Sequence, residues 1–124
     1  MHRSRLAGFI IDCEGADPER AAAFWSDALG MDSLGADGES YVRLDAKARD
    51  LVVEVQRVSH VSRVHLDIEA DDIEAEVKRL QQLGARPVER VRTWWVMEAP
   101  TGQRFCVVRA KSDLSTKAGA RVWK

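Results

Sequence analysis

The chain states one arrangement twice. A short apolar strand over Gly8–Cys13 precedes Asp17, where a helix opens and runs to Gly30. A second apolar strand over Val64–Ile68 precedes Asp72, where another helix opens and runs to Gly84. Ile10 stands seven residues before Asp17, and His65 stands seven before Asp72. Segments with strand alternation follow each helix. A strand–helix–strands unit repeated at about half the chain length implies two pseudo-equivalent modules that pack together. Fused repeats of this kind hold a ligand between them, so a small-molecule site is the first functional expectation.

At 124 residues the chain is expected to form one domain over 1–124, burying roughly two-thirds of its unfolded surface. Charged residues make up 31% of the chain, yet the net charge is only -1. Lys and Arg alternate with Asp and Glu instead of gathering on one face, which argues against a nucleic-acid partner. No apolar run approaches the ~18 residues of a membrane span. The basic start Met1–Arg5 is not followed by a signal-peptide core, because Asp12 and Glu14 interrupt it. Cys13 and Cys106 each lie in an apolar strand and read as reduced thiols of a cytoplasmic protein.

Asp17-Pro18-Glu19 combines an N-cap carboxylate, a proline at the first helical position and an acid at the positive end of the dipole. The first helix carries Ala21, Phe24, Trp25 and Leu29, with both aromatics expected in the core. A short strand near Ser33, a turn at Ala36–Gly38 and strands over Ser40–Asp45 and Leu51–Val58 complete module one, about 8–58. Module two, about 63–109, opens on the alternating run Arg63–Ile68, in which Arg63, His65 and Asp67 share one face. Asp71 or Asp72 caps a helix whose apolar stripe is Ile73, Val77, Leu80 and Leu83. Strands over Arg86–Val91, Thr93–Glu98 and Arg104–Arg109 follow. The tail 110–124 reads as polar and mobile, with Val122-Trp123 able to dock.

Several segments together resemble the vicinal oxygen chelate superfamily of glyoxalase and bleomycin-resistance-like proteins, most nearly its glyoxalase-like domain branch. They are Ile11-Asp12-Cys13 leading to Asp17-Pro18, then Ala23-Phe24-Trp25 with Ala28-Leu29-Gly30. The second half supplies Arg63–Ile68, Leu83-Gly84-Ala85, Trp95-Val96-Met97 and Pro100–Val108. The resemblance implies an α+β fold in which two βαβββ modules form a curled mixed sheet around a ligand cup, and it implies a homodimer. Its enzymes place metal ligands on the first and last strand of each module. Carried over, those positions are Ile10 and His65, then Glu54 (with Gln56 next on the same face) and Cys106. Ile10 cannot bind a metal, and Cys106 stands where a glutamate is expected.

No metal or other cofactor is therefore expected, with Glu54 and His65 the candidate ligands should a divalent ion bind. A thiolate at Cys106 would suit zinc better than an oxygen-preferring ion. His65 is the candidate catalytic residue and has two readings. It lines the cup and hydrogen-bonds a nearby carboxylate, or it contacts ligand as a general base with Asp67 on its face. Asp12 and Asp67 read as an ion network offset by Arg63. Trp94 and Trp95 point to opposite sides of one strand, so one indole can line the cup. Glu14, Arg43 and Arg104 are further candidates for orienting a polar ligand. The expected ligand set is Asp12, Glu54, Gln56, Arg63, His65, Asp67, Trp94, Trp95 and Cys106. The leading functional expectation is a metal-independent binder of a hydrophobic or aromatic small molecule. The alternatives are a metal-dependent lyase, isomerase or dioxygenase, and a metal-free enzyme that uses His65 as acid or base.

Overall fold

A computed structural model describes every residue, Met1–Lys124. The order is β1 His2–Glu14, α1 Pro18–Leu29, β2 Ser33–Asp37, β3 Tyr41–Leu44, β4 Val52–Val58, β5 Arg63–Ala70, α2 Ile73–Gln82, β6 Arg86–Val91, β7 Trp94–Glu98, β8 Arg104–Arg109 and β9 Arg121–Trp123. Short 3₁₀ turns occupy Lys47–Arg49 and Leu114–Thr116. The fold is α+β, with the βαβββ order occurring twice. No helix is long and apolar enough to cross a membrane. The chain divides into two compact units: Gly8–His65, and Met1–Ala7 together with Leu66–Lys124.

In the Gly8–His65 unit the strands run in the order β2-β3-β4-β1, with β1 parallel to β4 and the other pairs antiparallel. Alternation sends Ile11, Val53, Val55, Val42 and Leu44 towards α1, where they close on Ala22 with Trp25 at the edge. Asp17 caps α1 by accepting from the Glu19 amide, and Gly30 ends it with a φ of 67°. Phe24 departs from the expected core position and is 63% exposed. Ala21, Ala22 and Trp25 take the sheet-facing arc, which leaves the neighbouring position to solvent, and the Phe24 ring meets Trp25 edge-on at 5.1 Å. Gly8 pairs with Val52, and a Cβ at Gly8 would overlap the Val52 carbonyl oxygen.

The second unit repeats the pattern with β5-β8-β7-β6, β5 being parallel to β8. Ala70, Ile73, Val77, Leu80, Met97, Phe105 and Val107 form its core. Asp72 caps α2 through the Ala75 amide, while Asp71 accepts from the Arg3 amide. Leu83 does not complete the expected stripe: it lies past the helix end and is exposed.

β1 begins six residues earlier than the apolar pattern indicates, and the tail is not loose. β9 pairs antiparallel with His2–Ser4, and Leu114 is buried. These polar ends become strands because long-range partners satisfy them. Glu76 on α2, fully buried, accepts from His2 Nε2 at 2.7 Å and from Arg79 Nε and Nη2 at 2.9 and 2.8 Å. The Trp123 indole lies over the Arg79 guanidinium at 3.9 Å and donates to Ser4 Oγ at 2.9 Å. Burial alone pushes the Glu76 carboxyl up. The hydrogen bonds from Arg79, His2 and Ser4, with the Arg79 charge, outweigh burial and hold it below its ordinary 4.5.

Two outcomes are expected. Gly8→Ala costs about 2 kcal/mol in urea unfolding, because backbone must shift to admit the methyl; an unchanged midpoint would contradict the close approach. The unfolded state binds a proton at Glu76 more readily than the native state does. Its stabilisation is therefore present above the ordinary carboxylate range and is lost as pH falls through the lowered folded value. Glu76→Gln should thus cost about 2 kcal/mol at pH 7 and much less near pH 3. An equal loss at both pH values would show that the ionised form contributes nothing.

Candidate functional site

Strand alternation gives each sheet a second face, turned away from its helix. In the Gly8–His65 unit that face carries Ile10 and Asp12 from β1, Glu54 and Gln56 from β4, and Tyr41 and Arg43 from β3. The register sets them in two rows, Arg43–Glu54–Ile10 and Tyr41–Gln56–Asp12. Asp12 is 2% exposed, and a carboxylate so buried requires compensating partners. The principal one is His65, whose Nδ1 lies 2.8 Å from Asp12 Oδ2. An ionised carboxylate only accepts, so the imidazole proton sits on Nδ1 and Nε2 becomes the ring's basic nitrogen. The His60 Nε2 and Arg63 Nε atoms each stand 3.8 Å from the same Oδ2, within ion-pair range but beyond hydrogen bonding. Asp12 Oδ1 is buried without a hydrogen-bond partner.

The expected residues Asp12, Arg63 and His65 are therefore brought together, and the carboxylate paired with His65 is Asp12. His60 joins them although the sequence reading passed over it. It lies in the β4–β5 connection, outside any periodic segment, and only a lone histidine near the second module's start signalled it. Glu54 sits beside Arg43 at 3.8 Å, and Arg43 also faces Asp37 at 3.9 Å. Behind this face, Cys13 packs on the α1 core; burial first, and then the Asp12 charge, push its thiol up.

In the second unit the face away from α2 carries Asp67, Cys106 and Trp94, whereas Trp95 packs against the core. Asp67 and Cys106 are register partners, with a carboxylate oxygen and the sulfur within 4.8 Å. Cys106 thus stands to Asp67 as Gln56 stands to Asp12. Cys106, a member of the expected ligand set, lies on this face with Asp67 and outside the core cluster, although both its neighbours, Phe105 and Val107, are core residues.

The donor chemistry does not fit the metal site that the resemblance implies. Ile10, buried and apolar, occupies one ligand position directly opposite Glu54. An ion at Glu54 would compete with the Arg43 guanidinium, and the Cys106 thiol is a soft donor beside a hard carboxylate. An open depression of about 480 Å³ in the Gly8–His65 unit is lined by Glu14, Gly15, Arg57, Val58 and Ser59. It lies at the ends of β1 and β4, where the connection bearing His60 begins.

Residues 8–108 match the glyoxalase-like domain family. No protein of curated function matches the sequence significantly. Solved structures with a similar fold include the Mn(II)-bound glyoxalase from Novosphingobium aromaticivorans, with a TM-score of 0.58 and 20% identity. That match covers 91% of this chain and 44% of the glyoxalase chain, so this chain spans less than half the length of that relative. Methylmalonyl-CoA epimerase from Mycobacterium tuberculosis matches with a TM-score of 0.61 at 15% identity, covering 90% of this chain and 93% of that one. A glyoxalase/bleomycin resistance protein/dioxygenase superfamily member from Vibrio splendidus 12B01 matches with a TM-score of 0.55 at 16% identity, covering 89% and 100%. At such identities the likeness is one of fold.

The Asp12–His65 bond predicts the Nδ1–H tautomer for His65 in imidazole ¹⁵N spectra of the folded protein. Asp12→Ala removes the acceptor and should shift both ring nitrogens. Identical His65 signals in the two proteins would show that Asp12 does not set the tautomer.

Proposed function

This chain belongs to the glyoxalase-like domain family, and we propose that it binds a small organic molecule without a metal ion on the helix-free face of the Gly8–His65 sheet. The observation that carries the reading is the 2.8 Å contact between His65 Nδ1 and the buried Asp12 carboxylate. A ring fixed in orientation and tautomer presents Nε2 as a directed polar contact, and little ordering is left to occur on binding. Ile10 on the same face, where the resemblance implies a ligand atom, supports a metal-free site. The sequence alone suggested a hydrophobic or aromatic ligand. The polar rows around Gln56 and Asp12 favour one that also carries a hydrogen-bonding group. Both cysteines are thiols, which accords with a cytoplasmic protein, and a homodimer remains part of the proposal.

A second reading is favoured by the same dyad. An imidazole whose Nδ1–H is held by a carboxylate is equipped to take a proton at Nε2 from a bound molecule. Under that reading His65 is a general base, and an enzyme of the epimerase or isomerase type requires no further residue for the first proton transfer.

A thermal-shift and NMR screen of small organic compounds separates these readings. Binding is expected to survive chelator, and His65→Ala is expected to weaken it roughly tenfold or more, the scale of one charge-assisted hydrogen bond. Loss of binding in chelator, or a stoichiometric ion in the purified protein, would overturn the metal-free proposal. Turnover of a hit with a pH–rate profile abolished in His65→Ala would replace the binder by the acid–base enzyme.

A further inference from the structure

We infer that Arg63 and His60 form a clamp for an oxyanion, so that the molecule taken by this site is an organic carboxylate. The inference rests on the proposed binding face and identifies the chemical class of its ligand.

Arg63 is 46% exposed at its side chain, and its nearest carboxylate atom is Asp12 Oδ2 at 3.8 Å. The guanidinium thus sits in the field of a buried anion while its N–H donors make no hydrogen bond to it. His60, 40% exposed, is held by Nδ1 donating to the Val61 carbonyl at 2.8 Å, which leaves Nε2 directed at the same Asp12 oxygen from 3.8 Å. Asp12 cannot move out to close either gap, because it is buried and its Oδ2 is bonded to His65.

An incoming carboxylate can therefore accept from both groups without breaking a hydrogen bond between either of them and Asp12. Charge-assisted contacts to a planar guanidinium are the strong ones, and a carboxylate matches its fork. With its Nδ1 proton committed to a carbonyl, His60 contributes a second donor, at Nε2, only in its imidazolium form. The charged groups around that ring are Asp12 from β1, with Arg63 and His65 from β5 on the same oxygen.

The connection that carries the clamp is anchored at its base. The Glu14 amide donates to Ser62 Oγ at 2.9 Å, and the Gly15 amide donates to the Val58 carbonyl at 2.9 Å. These bonds place His60 and Arg63 on either side of a fixed residue. The open depression lined by Gly15, Arg57 and Ser59 leaves room at the same strand ends for the organic part of a ligand.

The test is an amide NMR titration with three probes: benzoate, its neutral isostere benzamide, and inorganic phosphate. Benzoate is expected to bind about tenfold more tightly than benzamide, to perturb Gly15 and residues 59–63, and to weaken as pH rises. Arg63→Gln and His60→Gln should each cost about tenfold in benzoate affinity, with Arg63→Lys recovering part of the loss. Both positions are well exposed, so the variants are expected to fold, and their amide spectra report directly on that. Benzoate binding unchanged in both glutamine variants overturns the clamp, as does an absence of benzoate binding. Phosphate binding more tightly than benzoate overturns the assignment to an organic carboxylate. The proposed binding face fails separately, if neutral hits of the compound screen are insensitive to both Asp12→Ala and His65→Ala.

Discussion

A carboxylate taken out of water must find compensation nearby, and Asp12 organises much of the Gly8–His65 unit through that need. Its place on β1 follows from alternation, because Ile11 and Cys13 turn to the α1 side and send Asp12 to the other. The compensation comes from one stretch of chain, His60 to His65, which supplies two imidazoles and a guanidinium to a single oxygen. The course of the β4–β5 connection is thereby tied to a residue almost fifty positions earlier. The Glu14–Ser62 bond reinforces the same closure one turn of the chain away.

The two units treat a buried carboxylate in opposite ways, and the difference is what makes Asp12 a candidate site and Glu76 a structural anchor. Glu76 receives His2 and both arms of Arg79 at 2.7–2.9 Å, and its surroundings are closed by Trp123 and Ser4. Every contact is short, so little hydrogen-bonding capacity is left to offer a ligand, and the network serves to pin both chain ends to α2. Asp12 has one short contact and two long ones, with an oxygen left unbonded. A network that is only partly satisfied is costly as architecture. The half-exposed Arg63 and His60, each 3.8 Å from Asp12 Oδ2 and not hydrogen-bonded to it, are nevertheless the donors that the proposed binding site holds in reserve.

The elements were legible where local chemistry determines them. Asp17-Pro18 and Gly30, Asp72 and Gly84, and the alternation of β5 and β8 located both helices and several strands, and β6 and β8 fall where the pattern places them. What escaped is what depends on distant partners. His2–Ser4 and Arg121–Trp123 have no strand pattern of their own and become strands by pairing across the length of the chain. Glu76 falls on the buried side of α2 because His2, Ser4 and Arg79 are there to receive it. Phe24 and Leu83 are apolar without being buried, since helix phase and helix end, not hydrophobicity, decide which side chains reach the sheet. At the site, Asp12, Arg63 and His65 could be named from strand parity, whereas His60 in an irregular connection could not.

The repeat also explains why likeness of fold carries so little of the function. Identical topology brings Asp12 opposite Gln56 in one module and Asp67 opposite Cys106 in the other, so the scaffold presents two equivalent polar positions on each helix-free face. The chemistry differs because the side chains differ: an amide faces one carboxylate and a thiol faces the other. Glu54, meanwhile, is opposite Ile10 and beside Arg43. A sheet that positions donors can serve a metal ion only if the donors match its preferences, and here an isoleucine, a guanidinium and a thiol interrupt the set. The imidazole that the same scaffold holds against a buried carboxylate needs no ion to be directed, and that is the physical ground on which an organic ligand at Asp12 and His65 is proposed.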